Sequence, residues 1–228
     1  NGHGLAMMAA SSGMSPVSNM SHRVRGLEGI QKIKLLDDGL KDPLKLEQLG
    51  EGLREIHDRI TDCSRHFLLV GEQEMCAQYE ASMSQVWPSE EYSKNPTGLS
   101  LPEVHEVRRQ LWLANTQVNV VSKAYPTVSA DHPDAAVLSV LSGFLRNGYL
   151  HRTVREQGGA YGGGAVQDSD NGCFKFYSYR DPRLEETLHD FDASIEWLLG
   201  EQHEWLQVEE AILGVIGSFD KPGSPSGE

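Results

Sequence analysis

The sequence predicts an α+β fold, an antiparallel sheet with helices packed on one face. Three observations lead there. Strand-like runs lie beside one another in the chain instead of alternating with helices, which favours antiparallel pairing. One of them follows a turn cluster, Asp168-Ser-Asp-Asn-Gly172, ending in the Asn-Gly pair that suits a tight hairpin. Around these runs stand segments whose apolar residues recur every three or four positions, as on helices that bury one face.

Residues 1–25 are rich in Gly, Ser, Ala and Met and read as irregular or weakly helical. Leu27, Ile30, Ile33, Leu36 and Leu40 suggest a helix. Asp42-Pro43 starts another, on which Leu46, Leu49, Leu53, Ile56 and Ile60 form a clean apolar face. That face lasts only about two heptads, so packing on the protein's own sheet is expected over a coiled-coil seam. His66-Phe-Leu-Leu-Val-Gly71 has the length and character of a strand. Met75, Tyr79, Met83 and Val86 mark a further helix, stopped by Pro88. Pro88, Pro96, Gly98 and Pro102 punctuate a stretch with little apolar pattern, which reads as a linker.

Beyond it, residues 110–114 and 117–125 read as strands. Asp131-His-Pro133 caps a helix that buries Val137, Leu141, Phe144 and Leu145 and runs on toward Arg155. After the hairpin turn, Cys173-Phe-Lys-Phe-Tyr-Ser-Tyr179 alternates Phe174 and Phe176 with Lys175, as a half-buried strand does. Asp181 as N-cap and Pro182 at the first helical position then open a helix with Leu184, Leu188, Phe191, Ile195 and Leu198 on one face. Leu206, Ile212, Leu213 and Ile216 form the last helix, and residues 221–228 have a loop composition.

The densest signal lies between residues 150 and 182. Five glycines crowd into Gly158 to Gly164 with Tyr161 at their centre, six residues after Arg155. Glycine tolerates positive φ and lets a ligand backbone approach closely, so Gly158, Gly159, Ala160 and Gly162 are candidate substrate contacts. Glycine runs more often provide a flexible helix-to-strand connection than a site, and a helix-end salt bridge or a packed ring would explain Arg155 and Tyr161.

The ordered combination of helix, Arg155-x-x-Gly-Gly-Ala-Tyr161-Gly-Gly, acidic hairpin and Phe-x-Phe-Tyr-Ser-Tyr-Arg-Asp-Pro182 resembles the insulinase/pitrilysin zinc metallopeptidases. Within them it is most similar to the C-terminal half of the presequence-protease branch. The resemblance implies two insulinase-type repeats: residues 1–98 as the tail of one, with linker, and 99–228 as the front of the next. It implies that Arg155 and Tyr161 reach across an enclosed chamber to hold a substrate backbone near a zinc carried by the N-terminal half of the same protein. Short unfolded peptides are the implied substrates. A non-catalytic structural or partner subunit of the same fold is the alternative.

Peptide hydrolysis passes through a tetrahedral oxyanion that fixed donors stabilise in a dry site. Tyrosine offers a neutral O–H and arginine a fork of five N–H donors, which suits both residues to that task. The metal itself has no place here. A zinc peptidase needs two histidines four residues apart on one helix face with a glutamate beside them. The nine histidines, at 3, 22, 57, 66, 105, 132, 151, 189 and 203, include no such pair. The phosphate-loop pattern fails because no lysine follows Gly164, and Gly-x-Ser-x-Gly is absent.

Composition sets the outer bounds. With 228 residues, 39% of them hydrophobic, and a mean hydropathy of −0.42, this is a globular composition with no run near the ~20 apolar residues of a membrane span. A net charge of −13 argues against nucleic acid and anionic membranes and suits cationic peptides. Cys63, Cys76 and Cys173 are unpatterned, so reduced thiols are expected, in cytoplasm or, in a eukaryote, the mitochondrial matrix. Asn1 is not an initiator residue, and both ends read as cut from something longer.

The chain alone is therefore expected to bind no stoichiometric zinc and to cleave no peptide. Metal analysis of the purified protein checks this; one tightly held zinc per molecule would overturn it.

Overall fold

A computed structural model of the chain describes residues 2–63, 67–86 and 98–219. It divides into two units, Asn1–Ile33 with Leu101–Glu228, and Lys34–Ser100.

The first unit is built on three antiparallel strands in the order β1-β3-β2, where β1 is Asn119–Pro126, β2 Gly162–Asp168 and β3 Cys173–Asp181. The predicted hairpin is present: the Asp168 carboxylate accepts from the Asn171 amide, and Gly172 takes the positive φ of +60° that closes the turn. In register, Ser178 lies opposite Val121 and Gly163, while Tyr177 lies opposite Ser122 and Gly164. Strand alternation therefore gives the sheet an apolar face and an aromatic-polar face. Phe174 and Phe176 on the apolar face join Val121, Ala165, Leu145, Leu150, Val154, Ala160 and Phe191 in one core. Phe176 stacks on Phe191 with ring centroids 5.4 Å apart.

Helices α6 (Ala135–Leu145) and α7 (Glu185–Gly200) supply that covering layer, as the sequence predicted, and α8 (Trp205–Phe219) packs on α6. Val137 departs from expectation, being exposed, while Phe144 and Leu145 are buried. The helix of α6 does run on past Arg155, but over Arg146–Gln157 it widens into a π-helical segment. Wider winding puts residues five apart on one face, and Leu145 and Leu150 are both wholly buried.

Four further sequence expectations for this unit are corrected. Residues 1–25 form two helices, α1 (Gly2–Ser11) and α2 (Pro16–Arg25), and α1 packs against β1 and β3. Its composition hid this because burial, not propensity, stabilises so short a helix. Residues 110–114 form no strand: Gln110 Nε2 donates to Ala9 O and Ser12 Oγ, and the Glu106 amide to Gly13 O, so this segment is held by the end of α1 instead of the sheet. Asp181 is the last residue of β3, and α7 begins only at Glu185. The buried Asp181 carboxylate instead accepts from the Arg183 amide at 2.9 Å and the Thr187 hydroxyl at 2.8 Å, tying strand to helix. Lys175, expected on a solvent face, is buried against Asp168.

The second unit contains the end of α3 (Leu27–Gly39), α4 (Pro43–Thr61) and α5 (Gln73–Val86). Asp42 caps α4 through the Leu44 amide, with Pro43 behind it as predicted. The expected packing of the α4 face is not found: α4 has no buried residue, and Leu46, Leu53, Ile56 and Ile60 are each more than half exposed. Residues 67–70, expected as part of a strand, do not form one in the structure. His66, most of the linker and residues 221–228 lie outside the described residues. All three cysteines are unpaired.

Burial pushes the Asp168 acid upward, but hydrogen bonds from Lys175 and Asn171 outweigh it and hold the carboxyl below its ordinary value. A folded pKa below the unfolded one contributes stability that is complete above ~4 and is lost as pH falls through the lower folded value. Denaturation midpoints should therefore fall more steeply below about pH 4 in the wild type than in Asp168→Asn, which should also be less stable at neutral pH because it leaves Lys175 buried without its counter-charge. Equal slopes in the two proteins would refute the assignment.

Candidate functional site

The glycine-rich stretch is only partly a loop. Gly158 ends the π-segment, Gly159 turns the chain with φ of +81°, and Gly162 to Gly164 already belong to β2. Close packing explains those strand glycines. A Cβ on Gly162 would meet the Tyr179 ring at 2.5–2.7 Å, and one on Gly163 would press on Val154 and the Tyr177 carbonyl. At Gly158 the space of a side chain is filled by the Arg183 guanidinium, which also donates to Asp190 at 2.8 Å and approaches the Thr153 carbonyl at 3.4 Å.

The turn's amides are consumed internally. Gly158 N donates to Thr153 O, Gly159 N to Arg155 O, Ala160 N to Val154 O, and Tyr161 N to Arg180 O. Gly158, Ala160 and Gly162 are buried, with Ala160 in the core itself; Gly159 is exposed. What the turn presents outward is Tyr161, 61% exposed, and the exposed Arg155 beside it.

Arg155 and Tyr161 border one open depression of about 350 Å³, together with Arg146, His151, Tyr177 and Tyr179. Arg146 and His151 are five apart on the π-segment, the spacing that sets them on a common face. Arg155 Nη1 lies 3.4 Å from His151 Nε2 and forms no ion pair with an acid among the described residues. A second depression, of about 460 Å³, shares Tyr161 and Tyr179 as walls and adds His3, Val118, Val120 and Arg180. The Tyr161 and Tyr179 rings are 5.7 Å apart, and His3 of α1 lies 4.8 Å from the Tyr179 ring. Among the described residues the Tyr161, Tyr177 and Tyr179 hydroxyls have no hydrogen-bond partner.

The result is a rim of cationic groups and free phenols on a strongly acidic chain, suited to holding carbonyl or carboxylate oxygen. It does not fit a metal: among the described residues no three His, Cys, Asp or Glu side chains come close enough to hold one. Of the residues on these rims the sequence singled out Arg155 and Tyr161, and not Arg146, His151, Tyr177, Tyr179 or Arg180. The Tyr177-x-Tyr179 alternation was a usable signal; the π spacing of Arg146 and His151 was not.

The first unit is thus an α+β sheet domain whose rim carries hydrogen-bond donors. The family model described as the PreP C-terminal domain matches residues 109–227, and the chain belongs to that family. Over its whole length it is 33% identical to the mitochondrial presequence protease of Kluyveromyces lactis and 31% identical to that of Yarrowia lipolytica. It is 42% identical over 109 residues, 48% of the chain and 10% of the relative, to the mitochondrial presequence protease of Xenopus laevis. The chain spans about a quarter of the length of the two yeast relatives, 24% and 23%.

Gly158→Ala should displace the Arg183 guanidinium and cost about 1–3 kcal/mol of stability. Chemical denaturation checks this; an unchanged midpoint would show that Arg183 moves aside freely.

Proposed function

We propose that this chain is the C-terminal, substrate-gripping part of a zinc-dependent peptidase that degrades short unfolded peptides inside a chamber. In this reading the zinc ligands and the general base belong to an N-terminal half of the same protein, and residues 1–98 and 99–228 come from two successive repeats. The observation that carries it is the pairing of Arg155 and Tyr161 on one rim, each with donors not committed to another part of the fold.

Arg155 and Tyr161 bind the peptide backbone and orient the carbonyl to be cleaved. As the carbonyl carbon becomes tetrahedral, negative charge grows on its oxygen, and the tyrosine O–H and guanidinium N–H groups donate to it more strongly than to the starting carbonyl. The internally hydrogen-bonded turn from Gly158 to Gly162 holds Tyr161 in place. Gly159, exposed and free of a side chain, leaves room for the substrate backbone.

The relatives' names point to presequences in mitochondria as the substrates, and the mitochondrial matrix as the compartment. Such targeting peptides are Arg-rich and poor in acids, which matches a chain of net charge −13. Among the described residues no helix is long and apolar enough to cross a membrane.

In the intact peptidase, Tyr161→Phe should lower kcat by ~10²–10³ while leaving the melting temperature unchanged, because only the hydroxyl is lost. Arg155→Lys keeps the charge but loses the planar fork and should also be impaired. Steady-state kinetics decide the matter: wild-type turnover in Tyr161→Phe would point to a non-catalytic member of the fold.

A further inference from the structure

We propose that Arg180 is a positioning residue, bulged out of β3 to fix the Tyr161 ring so that its hydroxyl faces the substrate. This rests on the role of Tyr161 proposed above.

The β1–β3 ladder runs in single steps from Pro126 opposite Cys173 to Val120 opposite Tyr179, then jumps to Asn119 opposite Asp181. Arg180 is the residue left over, a β-bulge. Its φ is +49°, and among the described residues it is the one non-glycine residue with positive φ. A left-handed bulge position normally takes glycine, because a Cβ is strained there. An arginine held in that conformation is serving something other than the strand.

What it serves is visible at the rim. Alternation from Phe174 through Phe176 and Ser178 would aim residue 180 at the helix-covered face. The bulge turns it outward, and its guanidinium carbon lies 5.3 Å from the centroid of the Tyr161 ring. The same residue holds the ring's backbone, since the Arg180 carbonyl accepts the Tyr161 amide at 3.3 Å. With Tyr179 near by, an exposed ring is held from two sides while its hydroxyl is left uncommitted. Arg180 forms no ion pair among the described residues, so its charge is available to the ring's π face. Bulges next to active sites commonly re-aim one side chain, and here the re-aimed side chain steadies a second.

The test uses the intact peptidase with Arg180→Gly, Arg180→Lys, Tyr161→Phe and the Arg180→Gly/Tyr161→Phe double variant. Glycine adopts the left-handed conformation without strain, so Arg180→Gly should melt at or above the wild-type temperature. Its kcat should nevertheless fall roughly tenfold with little change in KM, the scale of one lost cation–π contact. Arg180→Lys, which keeps a cation on the same stem, should recover part of the loss. In the Tyr161→Phe background Arg180→Gly should have no further effect on kcat, because the hydroxyl it positions is already gone. Wild-type kcat in Arg180→Gly overturns the proposal, as does a loss that tracks the melting temperature or one that is undiminished in the double variant. If Tyr161→Phe loses turnover and Arg180→Gly does not, Arg180 alone is ruled out. If Tyr161→Phe turns over normally, both assignments fall together.

Discussion

Phe176, buried in the core and stacked on Phe191 of α7, fixes the plane of the central strand, and the rim follows from that plane. Because β3 is paired on both sides, a residue-by-residue alternation is enforced along it. Each phenylalanine driven into the apolar core sends the next residue to the opposite face, which is how Tyr177 and Tyr179 arrive beside β2. Gly162 and Gly164 then leave room for the Tyr179 ring and the Tyr177 hydroxyl beside the strand. A slip of one residue would put the tyrosines in the core and the phenylalanines in water, so the energy of the core maintains the geometry of the site.

Charge is distributed against the chain's overall balance. The molecule carries 33 acidic and 20 basic residues, yet Arg146, His151, Arg155 and Arg180 gather around two neighbouring depressions. The acidic side chains near the sheet are committed elsewhere: Asp168 to Lys175, Asp192 to Lys123 and Tyr125, Asp190 to Arg183. Asp192 ties α7 to β1, Asp168 ties β2 to β3 and Asp190 holds the Arg183 guanidinium, while at the rim Glu156 lies 3.4 Å from His151. In the proposed function a long-range field that attracts basic peptides and a local field that grips their carbonyl oxygens coexist on one surface.

The hairpin, the covering helices and the Arg155–Tyr161 pair were legible because each rests on a short local pattern: period two in Phe174 to Tyr179, period three to four in Leu188 to Leu198, and a crowded glycine run. What escaped depends on contacts distant in sequence. The N-terminal helix α1 has no strong apolar stripe and is recognisable only by the sheet it covers. Residues 110–114 look like a strand, but Gln110 is anchored by its side chain to the end of α1. Asp181 has the credentials of a helix cap, but its backbone is already spent in the ladder opposite Asn119. The grouping of Arg146 with His151 appears only once the helix widens, since α-helical spacing separates residues five apart.

The internal satisfaction of the amides from Gly158 to Tyr161 bears on how such a domain changes over evolutionary time. In the proposed function recognition is carried by side-chain tips, while the backbone amides that place them are satisfied within the fold. A lineage can therefore silence this surface by altering two codons without disturbing the scaffold, and descendants can keep the architecture as a purely mechanical part. Where catalytic donors are main-chain amides, as in many oxyanion holes, that route is closed, because the chemistry cannot be deleted without refolding the loop. The separation of grip from scaffold makes this domain easy to repurpose.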